Sequence, residues 1–329
     1  MLLLASTAAL LAVTLPPAKI AVVGATGKAG RACVQQLVKQ GYQPRILLRH
    51  KLEGLKASPP PADAAPADVA AYLASLPGVE TVKGDVTDEA ACTKLLDGCA
   101  ACLAMHGARR TRKLSDLWSN PEAQPTHPKQ INYQGVANLI AAAKASGTCK
   151  RIVRLTGKGE TPWSIFSILI NGLGSMAKAW NYEGERLLRA EPEVEYTIIR
   201  PGIMRGEATD LPSSSLALGD DGADLKVTSI PHGTIAALAI ESLSYENAGR
   251  STLCAMTTEE PGTGADSWAP LLQGVAYDLR AFRTDLLGKH KLAVAVGGSG
   301  IVAALLTIAL GVLTAFKAAL VAAVGLLLR

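Results

Sequence analysis

The sequence predicts an α/β protein built on a parallel sheet and followed by an apolar C-terminal tail. Three observations predict it. A short apolar run, Ile20 to Val23, leads into glycines at spacing three, Gly24, Gly27 and Gly30, and then into a helical pattern. Apolar runs of strand length alternate with helical patterns from there to Met256. Leu292 to Phe316 carries no charged residue. All-apolar runs of strand length belong to strands buried on both faces of a parallel sheet. An uncharged stretch of that length crosses a hydrocarbon core of roughly 30 Å.

The first strand and its turn organise the rest. Gly24 permits the sharp turn off the strand, Gly27 lets the backbone approach a pyrophosphate, and Gly30 lets the new helix pack closely on the sheet. The helix runs to about Gln40 with Ala29, Cys33, Val34, Leu37 and Val38 on one face, and Gly41 closes it. Its N-terminus offers free N–H groups to an anion. A second strand, Arg45 to Leu48, follows within about 30 residues, the spacing of a dinucleotide-binding unit. That strand ends Leu48-Arg49-His50-Lys51, basic where a carboxylate would bind ribose hydroxyls. Arg49 and Lys51 instead suit a 2′-phosphate, so NADP(H) is expected ahead of NAD(H).

Further elements follow in order. Ala57 to Pro66 is Ala/Pro-rich and reads as an irregular excursion. Asp68 caps a short helix, Val69 to Leu76, and Glu80 to Val82 is the third strand. Asp85, in Gly84-Asp-Val-Thr-Asp88, belongs near an adenine ring. A helix with Cys92, Leu95 and Leu96 leads to the fourth strand, Ala100 to Met105. His106-Gly107 ends it at the carboxyl edge of the sheet, where ligands bind in such folds. Ala108 to Lys129 is a polar connection whose Arg109, Arg110, Arg112 and Lys113 read as a solvated loop or as a phosphate contact. Asn132 to Ala145 is a helix, Lys150 to Leu155 the fifth strand, and Met176 to Arg189 another helix. Tyr196 to Ile199 is the sixth strand, Ser229-Ile-Pro231 opens a helix, and Ser251 to Met256 is the last strand. Between them Trp163, Ile165, Phe166, Ile168, Leu169, Ile170 and Leu173 crowd one stretch. It forms an apolar lid or pocket wall, or touches a membrane or a partner, or else packs into the core.

The ends of the chain differ in character. Met1 to Leu15 is apolar and uncharged but lacks a basic n-region, so residues 1–18 read as a targeting or anchoring segment. Residues 19–258 form the nucleotide-binding domain, 259–291 a linker with an amphipathic helix at about Trp268 to Leu287, and 292–329 a membrane anchor. Arg280, Arg283, Lys289 and Lys291 precede the expected span, which by the positive-inside rule keeps the domain on a cytoplasmic or stromal side.

Composition excludes other classes. In 329 residues with a net charge of +5 the basic residues are spread out, and no finger spacing or basic–aromatic interleaving argues for nucleic acid. The six cysteines show neither a disulfide framework nor a metal pattern. Cys99 and Cys102 form a CxxC inside an apolar strand, where a core role outweighs a redox one.

Four motifs in order carry a family resemblance: Val22-Val-Gly-Ala-Thr-Gly-Lys-Ala-Gly30, Gly84-Asp-Val-Thr-Asp88, Asn132-Tyr-Gln-Gly135, and Glu195-Tyr-Thr-Ile-Ile-Arg-Pro-Gly202. Together they resemble the atypical short-chain dehydrogenase/reductases, and within them the NmrA-like, NAD(P)H-binding group, which includes plastid proteins. The resemblance spans roughly Lys19 to Met256. It implies a doubly wound, Rossmann-like sheet of seven or so parallel strands. It also implies that Gly24, Thr26, Gly27, Lys28 and Gly30 hold the pyrophosphate, Arg49 the 2′-phosphate and Asp85 the adenine, with Pro201 and Gly202 on the nicotinamide side.

The sequence departs from the family in its catalytic half. Classical members use a Tyr-x-x-x-Lys pair, with the tyrosine as general acid. Here Tyr182 is followed four residues later by Arg186, and the family slots fall near Ala179 and Glu183. Thr156 replaces the serine that usually ends the fifth strand. Tyr182, Lys178 and Thr156 are therefore the catalytic candidates to test. Two functions compete: a membrane-anchored, NADPH-dependent reductase of an apolar substrate, and a catalytically degenerate dinucleotide-binding subunit or redox sensor of a membrane complex.

Overall fold

The computed structural model describes residues 18–49, 52, 54–56, 58–61, 63–113, 116, 120–158, 160–206, 216–219, 228–257, 268–279 and 281–327, without the side chains of 217, 219, 301–306 and 318–327. Residues 1–17, Lys51, residues 259–267 of the expected linker and Arg280 lie outside this set.

Strands β1 (Lys19–Val23), β2 (Gln43–Leu48), β3 (Glu80–Lys83), β4 (Ala101–Ala104), β5 (Arg151–Leu155) and β6 (Glu195–Pro201) build the sheet. A short pair, β7 (Ile203–Met204) and β9 (Ser229–Ile230), stands apart from it, and β8 (Leu216–Gly219) and β10 (Ser251–Thr257) complete the main sheet. The order is β3-β2-β1-β4-β5-β6-β10-β8, parallel except for the antiparallel edge strand β8. The order reverses between β1 and β4, and ligands of such sheets bind at that switch point.

Alternation along β1 divides the core. Ile20 and Val22 join the layer of α1 (Lys28–Lys39), α2 (Pro66–Ser75) and α7 (His232–Glu241). Ala21 and Val23 join the layer of α3 (Glu89–Leu96), α4 (Gly135–Ser146) and the end of α6 (Ala177–Ala190). Helices on both faces make the sheet doubly wound, as expected. The six cysteines are free and buried, which agrees with the core reading of Cys99 and Cys102. Burial pushes the Cys99 thiol up to about 11.

Several boundaries differ from the sequence expectation for local reasons. Asp68 lies in the first turn of α2, and the cap position is Ala65. A π-helical turn, Lys129–Gln134, precedes α4. Ser229 and Ile230 pair with Ile203 and Met204, so Pro231 caps α7 from outside. The expected amphipathic helix over 268–287 is reduced to α8 (Ala269–Gln273). Past it the Asp278 carboxylate turns inward, accepting from Thr252 N and Oγ1, Arg189 Nη1 and Tyr196 Oη. Those four bonds hold residues 275–279 as a strap across β6 and β10.

The apolar stretch after β5 forms α5 (Ile165–Leu173). Ser167, Ile168 and Asn171 face inward, while Trp163, Ile165, Phe166 and Leu173 are more than half exposed. The core reading therefore holds for one face of this helix, and the other face is exposed.

The C-terminal tail corrects the sequence reading. Leu286–Leu327 is a single helix of 42 residues, α9, which Lys317 does not interrupt. Its first turns belong to the folded domain. His290 and Ala293 are fully buried. Asn171 Nδ2 lies 2.9 Å from His290 Nδ1. A Cβ on Gly297 would meet Ile168 Cδ1 at 2.6 Å. The beginning of the expected span thus packs on α5. Among the described residues no helix is long and apolar enough to cross a membrane. This overturns the transmembrane segment and the membrane-anchored location on a cytoplasmic or stromal side that depended on it.

Candidate functional site

The site begins where β1 turns into α1. Gly24 has φ +80°, and a Cβ there would lie 2.7 Å from His106 Cα, so conformation and space both require glycine. At Gly30 a Cβ would stand 2.1 Å from the Gly24 carbonyl oxygen, which fixes the helix against the turn. Gly27 differs. Its nearest obstacle is the Gly24 oxygen at 3.3 Å, a tight contact that a shift of a few tenths of an ångström would relieve, so packing restricts Gly27 far less than Gly30. Gly27 N donates to that oxygen at 3.0 Å, and no side chain caps α1. The helix's first amides are left for an outside acceptor.

A crevice of about 910 Å³ opens over this turn. Gly24, Thr26, Gly27, Arg49, Asp85 and His106 line it. The Arg49 Nε lies 3.9 Å from Asp85 Oδ2, and Asp85 Oδ1 accepts from Thr87 N and Oγ1 at 3.0 Å. The structure thus brings together the glycine turn, the basic end of β2 and the acidic residue after β3. Lys28 stands exposed at the first position of α1, outside the lining. Pro201 and Gly202 lie elsewhere as well. Gly202 N donates to Ala255 O, and a Cβ on it would meet Thr228 O at 2.1 Å, so strand packing alone accounts for that glycine.

Each of the three catalytic candidates has a tertiary partner. The Thr156 hydroxyl donates to Glu185 Oε1 at 2.5 Å, and Glu185 pairs with Arg200 in the interior. The Tyr182 ring stacks on Phe282 with centroids 4.2 Å apart, and its oxygen accepts from Arg283 N at 3.4 Å. Burial, helped by Glu160, pushes its phenol up to about 12. Lys178 Nζ donates to Ser167 Oγ at 2.5 Å. Burial, with Lys158 nearby, brings its amine down to about 8.

The basic cluster after β4 divides. Arg110 is buried and holds Asp116 with both Nη atoms, at 2.7 and 2.5 Å, while Arg109 lines the crevice. Two features went unread in the sequence. Lys56 lines the crevice and pairs with Asp68 on α2 at 2.5 Å. Arg154 lies fully buried in β5. The signal for it was present: a charge in the middle of Arg151-Ile-Val-Arg-Leu155, an otherwise apolar central strand, demands a buried task.

A family model described as NAD(P)H-binding matches residues 24–246. No curated protein sequence matches the chain. The fold is similar to that of a putative NAD-dependent epimerase/dehydratase from Bacillus halodurans, with a TM-score of 0.55 and 16% identity, covering 78% of this chain and all (100%) of that one. It is also similar to a short-chain dehydrogenase/reductase from Veillonella parvula in complex with NADP, with a TM-score of 0.52 and 12% identity, covering 76% and 98%. A putative epimerase from Bacteroides thetaiotaomicron gives a TM-score of 0.53 and 16% identity over 74% and 99%. At such identities the likeness is one of fold, and none of it bears on a plastid location.

Proposed function

Because this chain belongs to the NAD(P)H-binding family, we propose that it binds NADP(H) in the crevice over the β1–α1 turn and acts as a dinucleotide-responsive protein without the conventional tyrosine–lysine site. The observation that carries this reading is the crevice itself, with the glycine turn at one end and Arg49 at the other. Gly24, Thr26 and Gly27 would take the pyrophosphate, with Gly30 seating the helix behind them. Arg49 would take the 2′-phosphate, and Asp85 would sit by the adenine. Arg49 is exposed and, among the described residues, pairs with one carboxylate, Asp85 at 3.9 Å, so its guanidinium is available for a second anion. The Veillonella neighbour's NADP is compatible with this choice.

The absence of a usable pair supports the binding reading. Tyr182 is covered by Phe282 and holds its proton too tightly to serve as the acid near neutral pH. Thr156 is bound to a buried carboxylate. One observation favours a reductase instead: Lys178, with its amine near 8, can give up a proton at neutral pH. In that second reading a bound nicotinamide would supply hydride for a carbonyl carbon, and Lys178 Nζ would give the proton to the carbonyl oxygen. The exposed side of α5 is then an apolar wall for the substrate.

Calorimetric titration of the full chain with NADPH and NADH tests the main reading. NADPH should bind more tightly by about tenfold or more, the worth of one charge-assisted contact. Arg49→Glu should erase or invert that preference by setting a carboxylate against the phosphate. Equal affinity of the parent for both nucleotides refutes it. Substrate-dependent loss of nicotinamide absorbance that vanishes in Lys178→Met would favour the reductase.

A further inference from the structure

His106 lines the crevice, and the contacts assigned so far leave it without a task. It follows β4 at the switch point, and its main chain lies directly against Gly24. Its ring nitrogens are shielded from solvent, and neither Nδ1 nor Nε2 makes a well-formed hydrogen bond, although the Ile131 backbone is close enough to act on the ring. A buried imidazole with both nitrogens idle is costly, and such groups in folded proteins call for an explanation.

The main chain at this point is held from below. Arg154 Nη1 donates to the carbonyls of His106 at 2.5 Å and Ala104 at 3.0 Å, and its Nη2 donates to Asn181 Oδ1 at 2.9 Å. Arg154 is completely buried, its Nε has no partner, and among the described residues it forms no ion pair. A positive charge therefore sits under the β4 edge, with the Glu185 carboxylate near enough to act on it but, among the described residues, not in contact. Burial, and after it the Arg154 charge, holds the His106 imidazole well below its ordinary range; the Ile131 backbone pulls weakly the other way. The ring is neutral, with one N–H donor and one bare nitrogen.

We infer that His106 hydrogen-bonds the ribose–diphosphate segment of a dinucleotide bound in this crevice, and that Arg154 is the positioning residue that fixes the main chain there. The inference rests on the dinucleotide reading and adds a contact that no glycine supplies. A neutral imidazole offers a donor to a diphosphate oxygen and an acceptor to a ribose hydroxyl. The charge of Arg154 favours the same anion from beneath.

His106→Phe keeps the ring and removes both nitrogens, and His106→Asn keeps one donor and one acceptor. In calorimetric titration of the full chain, His106→Phe should bind NADPH and ADP-ribose about tenfold more weakly, one lost hydrogen bond, with His106→Asn within about threefold of the parent. Adenosine 2′,5′-bisphosphate, which lacks the diphosphate bridge, should bind all three proteins alike. Parent-like NADPH affinity in His106→Phe overturns the inference. So does an equal loss for both variants and for the bisphosphate, which marks a general disturbance. If His106→Phe does not fold, nitrogen NMR of the parent's histidines decides. NADPH must then move the His106 ring signals, and unmoved signals overturn the contact. A parent that binds no dinucleotide overturns this inference and the function it rests on; a parent that binds while the variants match it overturns this inference alone.

Discussion

Replacing Gly27 and Gly30 by alanine, one at a time, separates the part of the glycine turn that serves the fold from the part that serves a ligand. At Gly30 the new Cβ would lie 2.1 Å from Gly24 O, 2.7 Å from Gly24 C and 2.9 Å from Ala25 Cα. All three are backbone atoms, so the turn or the helix must shift. Overpacking of this kind costs about 1–3 kcal/mol. At about 2–4 °C per kcal/mol for a domain of 150–250 residues, the melting temperature should fall by roughly 2–12 °C. At Gly27 the only close atom is Gly24 O at 3.3 Å, and φ is −76°, which alanine adopts freely. Stability should fall by about 1 kcal/mol or less, below the loss at Gly30. The Gly27 methyl would instead occupy space beside the uncapped amides of α1. NADPH affinity should then fall by about tenfold or more, as if one phosphate hydrogen bond were lost. Thermal unfolding and calorimetric titration, run on both variants, give the two readouts. Equal destabilisation by both alanines, or parent-like NADPH binding by a folded Gly27→Ala, would refute the division of labour.

Two further predictions concern the catalytic half and the strap. Lys178 has a folded-state amine near 8 against an ordinary 10.5, so between those values the unfolded chain holds more protons than the folded one. Stability contributed by this site should therefore rise with pH from 8 to 10.5, and Lys178→Met should flatten that rise in denaturant titrations; an unchanged profile would show that the amine is not depressed. Asp278→Ala leaves Arg189, Tyr196 and Thr252 without their shared acceptor. It should cost about 3 kcal/mol, as for other buried pairs broken on one side, and should increase proteolysis within residues 274–285; parent-like stability and resistance would mean the strap is held by something else.

The nucleotide half was legible in the sequence because its determinants are local. The run Ile20 to Val23, three glycines at fixed spacing and a helix N-terminus adjoin one another in the chain, and their geometry follows from neighbours within ten residues. Arg49 at the end of β2 was readable for the same reason, since parallel order sets every strand's carboxyl end along one edge. The strand β8 was not readable, because it owes its place to antiparallel pairing with β10, formed about 40 residues away in sequence. The five-residue α8 was overcalled for a similar reason. The pattern of residues 268–287 satisfies a helix, but Asp278 gains four bonds in the interior that a solvent-facing helical position could not supply.

The catalytic half shows why residue type and spacing were insufficient there. Lys178 and Tyr182 lie four apart on α6 and share one side of it, as a reductase pair must. What differs is the neighbour each meets. Lys178 meets Ser167 on α5, which leaves it a proton donor near neutral pH. Tyr182 meets Phe282 and the Arg283 amide from the far end of the chain, about 100 residues later, and keeps its proton. The end of the segment expected to be a linker with an amphipathic helix, residues 259–291, instead packs across the helix that carries the candidates. Its Phe282 covers Tyr182, and the start of α9 buries His290 against Asn171 of α5. Chemistry at Tyr182 therefore requires Phe282 to move, whereas nucleotide binding in the crevice over the β1–α1 turn, which neither residue lines, does not. That asymmetry is the physical reason for placing dinucleotide binding ahead of turnover.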